Sequence, residues 1–383
     1  MANIPLLQRK NQFTQDLIDV VNITPPDATD FLMNMFRFVY KPTLYLSWQT
    51  RRFTEILATS VIRGTNGNRI KATGFTQKVE LPPFFHLYFN MMQLEGFNAA
   101  FGTQNPTEGA FYDLMDEASF MYNEMKKMIN RAKELMASQI LQTGIVLDAT
   151  TGNINFDRNP SSIMDLGSGG YWDGSISQNP FATGETMCTF LRQYGKVGGN
   201  RFRWIMGASA YRNFLLQTAV LSRAQKLWNV LTALEYPELK DDGSVYMGNV
   251  SCGPYSVDIF TYPQYYTSST EAQELVTVQA IAGQTTSAAT SNTSTPYIAD
   301  YNTVMVPEKM QQIHGCALVP ALPKQIANDG DMTGEMGLIE GGKFFAYDYQ
   351  DVKLTAWENN LKAAGMPILT RVDEVVTAKV CSA

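Results

Sequence analysis

One unbroken helical run over residues 106–143 constrains this chain more than any other feature. Asn105 offers a side-chain cap, Pro106 the fixed φ of a first helical position, and Glu108 an acid that reaches back to the cap. Phe111, Leu114, Met115, Ala118, Met121, Tyr122, Met125, Met128, Ile129, Ala132, Leu135 and Met136 then recur at three- and four-residue spacing. Lys126, Lys127, Arg131 and Lys133 fall largely off that stripe, and Gly144 supplies the stop. At 1.5 Å per residue the rod is roughly 55 Å long, more than the diameter of a small domain. It is either a spine for other elements or a long core helix. The arm-like hundred residues before it, which close no domain of their own, favour the spine.

Composition narrows the classes of function. With 383 residues and 45% hydrophobic content the chain buries a real core and divides into two or three substructures. Thirty Lys and Arg against 36 Asp and Glu leave a formal charge of −6, which offers no general attraction to nucleic acid. The first residues hold Arg9 and Lys10 without an apolar signal core, and no run approaches about 18 apolar residues. A soluble protein made in the cytoplasm, with no membrane partner, is expected.

Cys188, Cys252, Cys316 and Cys381 are widely spaced without a CxxC pair, which fits buried reduced thiols better than a disulfide framework or a zinc site. Only His86 and His314 are present, so a His-rich metal site is excluded, most acid/base or nucleophilic triads would depend on one of them, and no cofactor is expected. His86 lies inside the apolar run 82–89 and reads as a packing residue. His314 precedes Cys316 in a strand-like stretch, and a hydrolase using that pair is the reading from another class, although nothing supplies the orienting third group. The glycines at 167–170 lack the lysine and hydroxyl of a phosphate loop and read as a turn.

Along the chain, a polar arm ends at Pro25, Pro26 and Asp27 before the apolar stretch 31–40. Strand-like pieces at 43–48 and 53–62 lead to the polar tip 63–68, expected to turn back as a hairpin. Arg51, Arg52, Arg63, Arg69, Lys71 and Lys78 crowd this loop, either as a solvated face or as contacts to acidic groups of another copy. Residues 144–156 form a second predicted hairpin. Helices at 182–194 and 208–228 then alternate with strands at 201–206 and 256–262, an α/β module carrying a Ser/Thr-rich mobile insertion at 283–296. Strands at 303–306, 316–319, 343–349, 352–354 and 367–380 close the chain, a pattern of leaving and re-entering a sheet that suggests an inserted domain.

The order of these parts resembles the major capsid proteins of tailed bacteriophages with the Hong Kong 97-like fold, in the branch typified by the phage lambda capsid protein. The residues that carry the resemblance are Pro25-Pro26-Asp27 leading to Phe31-Leu32, the Arg63-Gly64 region, Leu81-Pro82-Pro83, the helix end 132–144 before its hairpin, and Arg203-Trp204-Ile205-Met206-Gly207 followed by a helix. The patterns are individually loose, and their joint order gives the weight. The resemblance implies an α+β fold with an N-terminal arm at 1–42, an extended loop at 43–83 and a peripheral domain at 84–165 around the spine helix. An axial domain at 166–340 and closing strands at 341–383 complete it.

The function so implied is self-assembly into hexamers and pentamers of an icosahedral shell around phage double-stranded DNA, without enzymatic activity. The arm and the basic loop then make the inter-subunit contacts. Because the arm starts almost at Met1, a separate scaffolding protein is expected, together with a portal protein, a possible decoration protein, and weak non-specific contact with packaged DNA. The expected location is the virion capsid, assembled in the host bacterial cytoplasm. An encapsulin-like compartment shell of the same fold is the nearest alternative.

Overall fold

A computed structural model of the chain describes residues 30–41, 43–50, 76–92, 106–148, 152–226, 237–267, 294–317, 344–351 and 356–382. Strands β1 (Phe36–Tyr40), β2 (Leu46–Thr50), β3 (Thr76–Glu80) and β4 (Phe84–Met92) precede helix α1 (Pro106–Thr143). The short strands β5 (Ile145–Val146), β6 (Ile154–Asn155) and β7 (Ile163–Asp165) lead to α2 (Pro180–Gln193) and β8 (Arg201–Met206). After α3 (Ala208–Leu216) and α4 (Thr218–Lys226) come β9 (Glu238–Leu239), β10 (Val245–Cys252), β11 (Tyr255–Thr261) and β12 (Tyr265–Thr267). The chain closes with β13 (Ser294–Pro296), β14 (Asn302–Pro307), β15 (Gln312–Cys316), β16 (Phe345–Asp351), β17 (Ala356–Ile368) and β18 (Val376–Lys379). The insertion expected at 283–296 lies outside the described residues except for β13, which pairs with β12.

Helix α1 has the boundaries that its proline and glycine dictate. Gly144 adopts φ +75°, and its amide donates to the Ile140 carbonyl at 2.9 Å, ending the helix in the left-handed conformation that glycine adopts freely. A Cβ at this position would lie 2.5 Å from Cδ of Arg158. Gly144→Ala is therefore expected to cost about 2 kcal/mol or more, the left-handed penalty plus displacement of Arg158, and chemical denaturation of the subunit checks it.

Seven strands form one sheet in the order β7-β18-β14-β8-β11-β10-β9. Its centre is buried on both faces, so β8 and β14 alternate between two cores. Phe202, Trp204, Met206 and Met305 pack with α2 and α3 on one side. Ile205, Val304 and Val306 pack on the other with Ile140 and Leu141 of α1 and with Phe31 and Leu32. A second sheet joins β1, β15 and β17, with β16 and β4 flanking the long β17 as a three-stranded ribbon. This sheet draws β15 from within the 166–340 stretch.

Three local expectations are corrected. The single helix expected at 208–228 breaks at Gln217, whose fully buried side chain donates to the Trp172 carbonyl at 2.7 Å while Thr218 bonds the Ile176 carbonyl at 2.9 Å. Lys126 and Lys133 are buried, because their stems lie along apolar surface and their ammonium groups sit 5.8 and 5.0 Å from the Phe344 ring. His86 is exposed rather than packed: in β4 it falls between Phe84 and Tyr88 on the face turned away from α1 and bonds Asn360 at 2.7 Å.

Candidate functional site

Three constructions hold the projecting parts of the chain to its body. The first is the root of the leading segment. Leu32 and Phe31 are buried, with the Phe31 ring 5.4 Å from Tyr262 and 5.7 Å from Phe260. The amides of Leu32 and Met33, at the start of a short 3-10 turn, donate to the two carboxyl oxygens of Glu134 at 2.7 and 2.9 Å. Glu134 is 1% exposed, and burial, opposed by those hydrogen bonds, pushes its pKa up to about 8.

The second is the root of the loop. Strands β2 and β3 pair antiparallel from Leu46↔Glu80 to Thr50↔Thr76 as a two-stranded ribbon that, among the described residues, joins no larger sheet. Leu46 and Trp48 turn inward, and the Trp48 ring stacks on Phe156 at 5.4 Å. Lys78 donates to the Asn155 carbonyl at 2.6 Å and pairs with Asp157 at 2.5 Å. Leu44, Tyr45, Val79 and Leu81 are exposed on the same short stretch. An isolated two-stranded ribbon is marginal in water, and this one is held by its buried Leu46 and Trp48 while its outer apolar residues stay exposed.

The third is the junction between α1 and the seven-stranded sheet. Arg158 is 7% exposed, and its guanidinium donates to the carbonyls of Leu141 at 2.8 Å, Val375 at 2.9 Å and Ser162 at 3.2 Å. Thr377 adds a hydroxyl bond to the Leu141 carbonyl at 2.8 Å. The cation thus sits at the negative end of the α1 dipole and clamps it to the strand beginning at Val376. Burial lowers its pKa to about 10, and the nearby Asp373 opposes that shift.

Of the six basic loop residues expected at inter-subunit contacts, Arg51, Arg52, Arg63, Arg69 and Lys71 lie outside the described residues. Lys78 is engaged by its own chain. Neither Glu134 nor Arg158 was legible, since an acid and an arginine amid polar neighbours read as solvated positions.

His314 and Cys316 do come together, as period-two neighbours on β15, with Nε2 and Sγ 3.7 Å apart. They are 5% and 1% exposed, and the His314 ring meets Phe38 edge-on at 5.7 Å. A nucleophile so enclosed has no face open to a substrate. All four cysteines are buried, and burial pushes the Cys252 thiol up to about 12. No three His, Cys, Asp or Glu side chains converge as a metal site among the described residues, and no described helix is long and apolar enough to cross a membrane.

An α+β body with two cores on opposite faces of one seven-stranded sheet, a long spine helix packed in one of them and a separate two-stranded loop ribbon, is the Hong Kong 97-like architecture of a shell-forming coat subunit. Among the solved structures that share this fold are two phage-related chains. A chain assigned as a capsid protein of a prophage in Escherichia coli CFT073 is 12% identical, with a TM-score of 0.60 over 96% of this chain and 99% of its own. A phage-related protein from Bordetella bronchiseptica RB50 is 10% identical, with a TM-score of 0.51 over 95% of this chain and 96% of its own. No curated protein matches in sequence. The chain belongs to the phage major capsid protein E family, whose profile matches residues 13–380, and it is a structural protein of the phage shell.

Proposed function

We propose that this capsid protein builds an icosahedral shell from hexamers and pentamers around phage double-stranded DNA, with residues 1–42 and 43–83 lying across neighbouring copies. The observation that carries the reading is the loop root. A two-stranded ribbon anchored by Trp48 and Lys78 leaves Tyr45, Val79 and Leu81 exposed, an apolar surface suited to a neighbouring copy. Contacts of moderate strength then become decisive because closed symmetry repeats them throughout the shell.

In this reading residues 84–165 form the peripheral domain, 166–340 the axial domain and 341–383 the closing strands. The subunit is made in the host cytoplasm, has no catalytic role, and works with a separate scaffolding protein and a portal protein. Its net charge of −6 suits a wall that releases packaged DNA, because a basic lining imposes strong salt-dependent phosphate binding. Shells isolated from infected cells are expected to contain nuclease-protected DNA of genome length. Shells filled with a cargo enzyme and free of DNA would overturn the reading.

A further inference from the structure

Phe84, His86 and Tyr88 alternate along β4 onto the face turned away from α1, with successive ring centroids 6.3 Å apart. Pairing sets them opposite Ala364, Lys362 and Asn360 of β17, and the same alternation carries that face on to Met366 and Ile368. There the loop root lies on it: a Cβ added to Gly315, the partner of Met366, would meet Ile368 Cδ1 at 2.8 Å and Leu46 Cδ1 at 3.1 Å. The ribbon of β2 and β3 and the aromatic ladder of β4 therefore share one side of the second sheet. Because Leu46 and Trp48 turn inward, alternation turns Ser47 and Val79 outward, together with Tyr45 and Leu81 just beyond the pair Leu46↔Glu80.

Tyr45, Val79, Leu81, Phe84 and Tyr88 are between 41% and 61% exposed, and His86 is exposed between the two rings of its strand. At roughly 200 Å² for a whole large side chain, they leave on the order of 500 Å² open, most of the roughly 800 Å² that one partner brings to a standard interface. None of these positions is Lys, Arg, Asp or Glu, and aromatic enrichment with charge depletion is the composition of an interface centre. We propose that this strip is a contact surface for a second copy of the chain, so that β4 extends the inter-subunit contact beyond residues 43–83. A second copy is the occupant because a shell subunit is flanked by copies of itself, and because an uncharged aromatic surface of this area fits a contact made once and kept. This contact rests on the proposed shell assembly and is independent of where the arm lies.

Photo-crosslinking of assembled shells tests it. Tyr88→p-benzoylphenylalanine, at the most exposed ring of the ladder, is expected to give covalent subunit dimers on denaturing electrophoresis after irradiation of shells, and only monomer after irradiation of dissociated subunits. Arg63→p-benzoylphenylalanine reads loop exchange in the same way. Dimers from position 63 without dimers from position 88 would overturn the ladder contact and leave loop exchange standing, whereas dimers from neither would remove both. A product joining position 88 to a protein other than this chain would overturn the second copy as occupant. Tyr88→Glu, which sets a charge in the centre of the strip, is expected to raise the concentration needed for shell formation at least about tenfold with the thermal midpoint of the dissociated subunit unchanged, while Tyr88→Phe assembles like the wild type. Assembly of Tyr88→Glu at the wild-type concentration would also overturn the proposal.

Discussion

Replacing Arg158 with leucine is expected to destabilise the subunit by about 3 kcal/mol, measured as the change in free energy of urea unfolding. The guanidinium satisfies the Val375 and Ser162 carbonyls, and their loss as acceptors costs about 1–3 kcal/mol each when they stay dry. The Leu141 carbonyl keeps its bond from Thr377, so its share of the loss is smaller. Loss of a cation at the helix C-terminus adds about 1 kcal/mol, and relief of the buried charge's desolvation returns part of the total. Arg158→Lys retains the charge but not the fork that reaches several acceptors, and is expected to cost roughly half as much. A leucine variant within about 0.5 kcal/mol of wild type would remove Arg158 from the junction.

Charge reversal in the loop is expected to have the larger functional effect with the smaller structural one. Arg51→Glu with Arg52→Glu, or Arg63→Glu with Arg69→Glu, should leave unfolding of the subunit unchanged within about 0.5 kcal/mol while raising the concentration needed for shell formation about a hundredfold or more. Multiplicity produces the contrast, because a contact weakened by about 2–3 kcal/mol is weakened at every subunit of the shell. Lys78→Glu is the control: its partners Asn155 and Asp157 lie in the same chain, so it should lower subunit stability by about 1 kcal/mol. Shells that form normally from both double variants, as judged by sedimentation, would take the basic loop out of assembly.

What the sequence made legible follows from where the deciding forces are local. The ends of α1 lie at Pro106 and Thr143 because a first-turn proline and a left-handed glycine act within a few residues. Strand β8 and the hairpin of Ile145 with Asn155 were readable for the same reason. The break at Gln217 was not, since it depends on a carbonyl 45 residues earlier. Burial of Lys126 and Lys133 depends on Phe344, far along the chain, and overrides the polar reading of the helix face. His86 was placed inward because its neighbours are apolar, whereas alternation in β4 turns it outward with Phe84 and Tyr88. Glu134 and Arg158 meet main-chain groups distant in sequence, and no periodicity announces such partners.

An electron cryomicroscopy reconstruction of the assembled shell addresses the central claim most directly. Residues 1–29 and 51–75 are expected to lie against a different copy of the chain from the one that carries them, with Arg63 and Arg69 facing acidic side chains of that neighbour. Density that folds both segments back onto their own subunit would contradict the account.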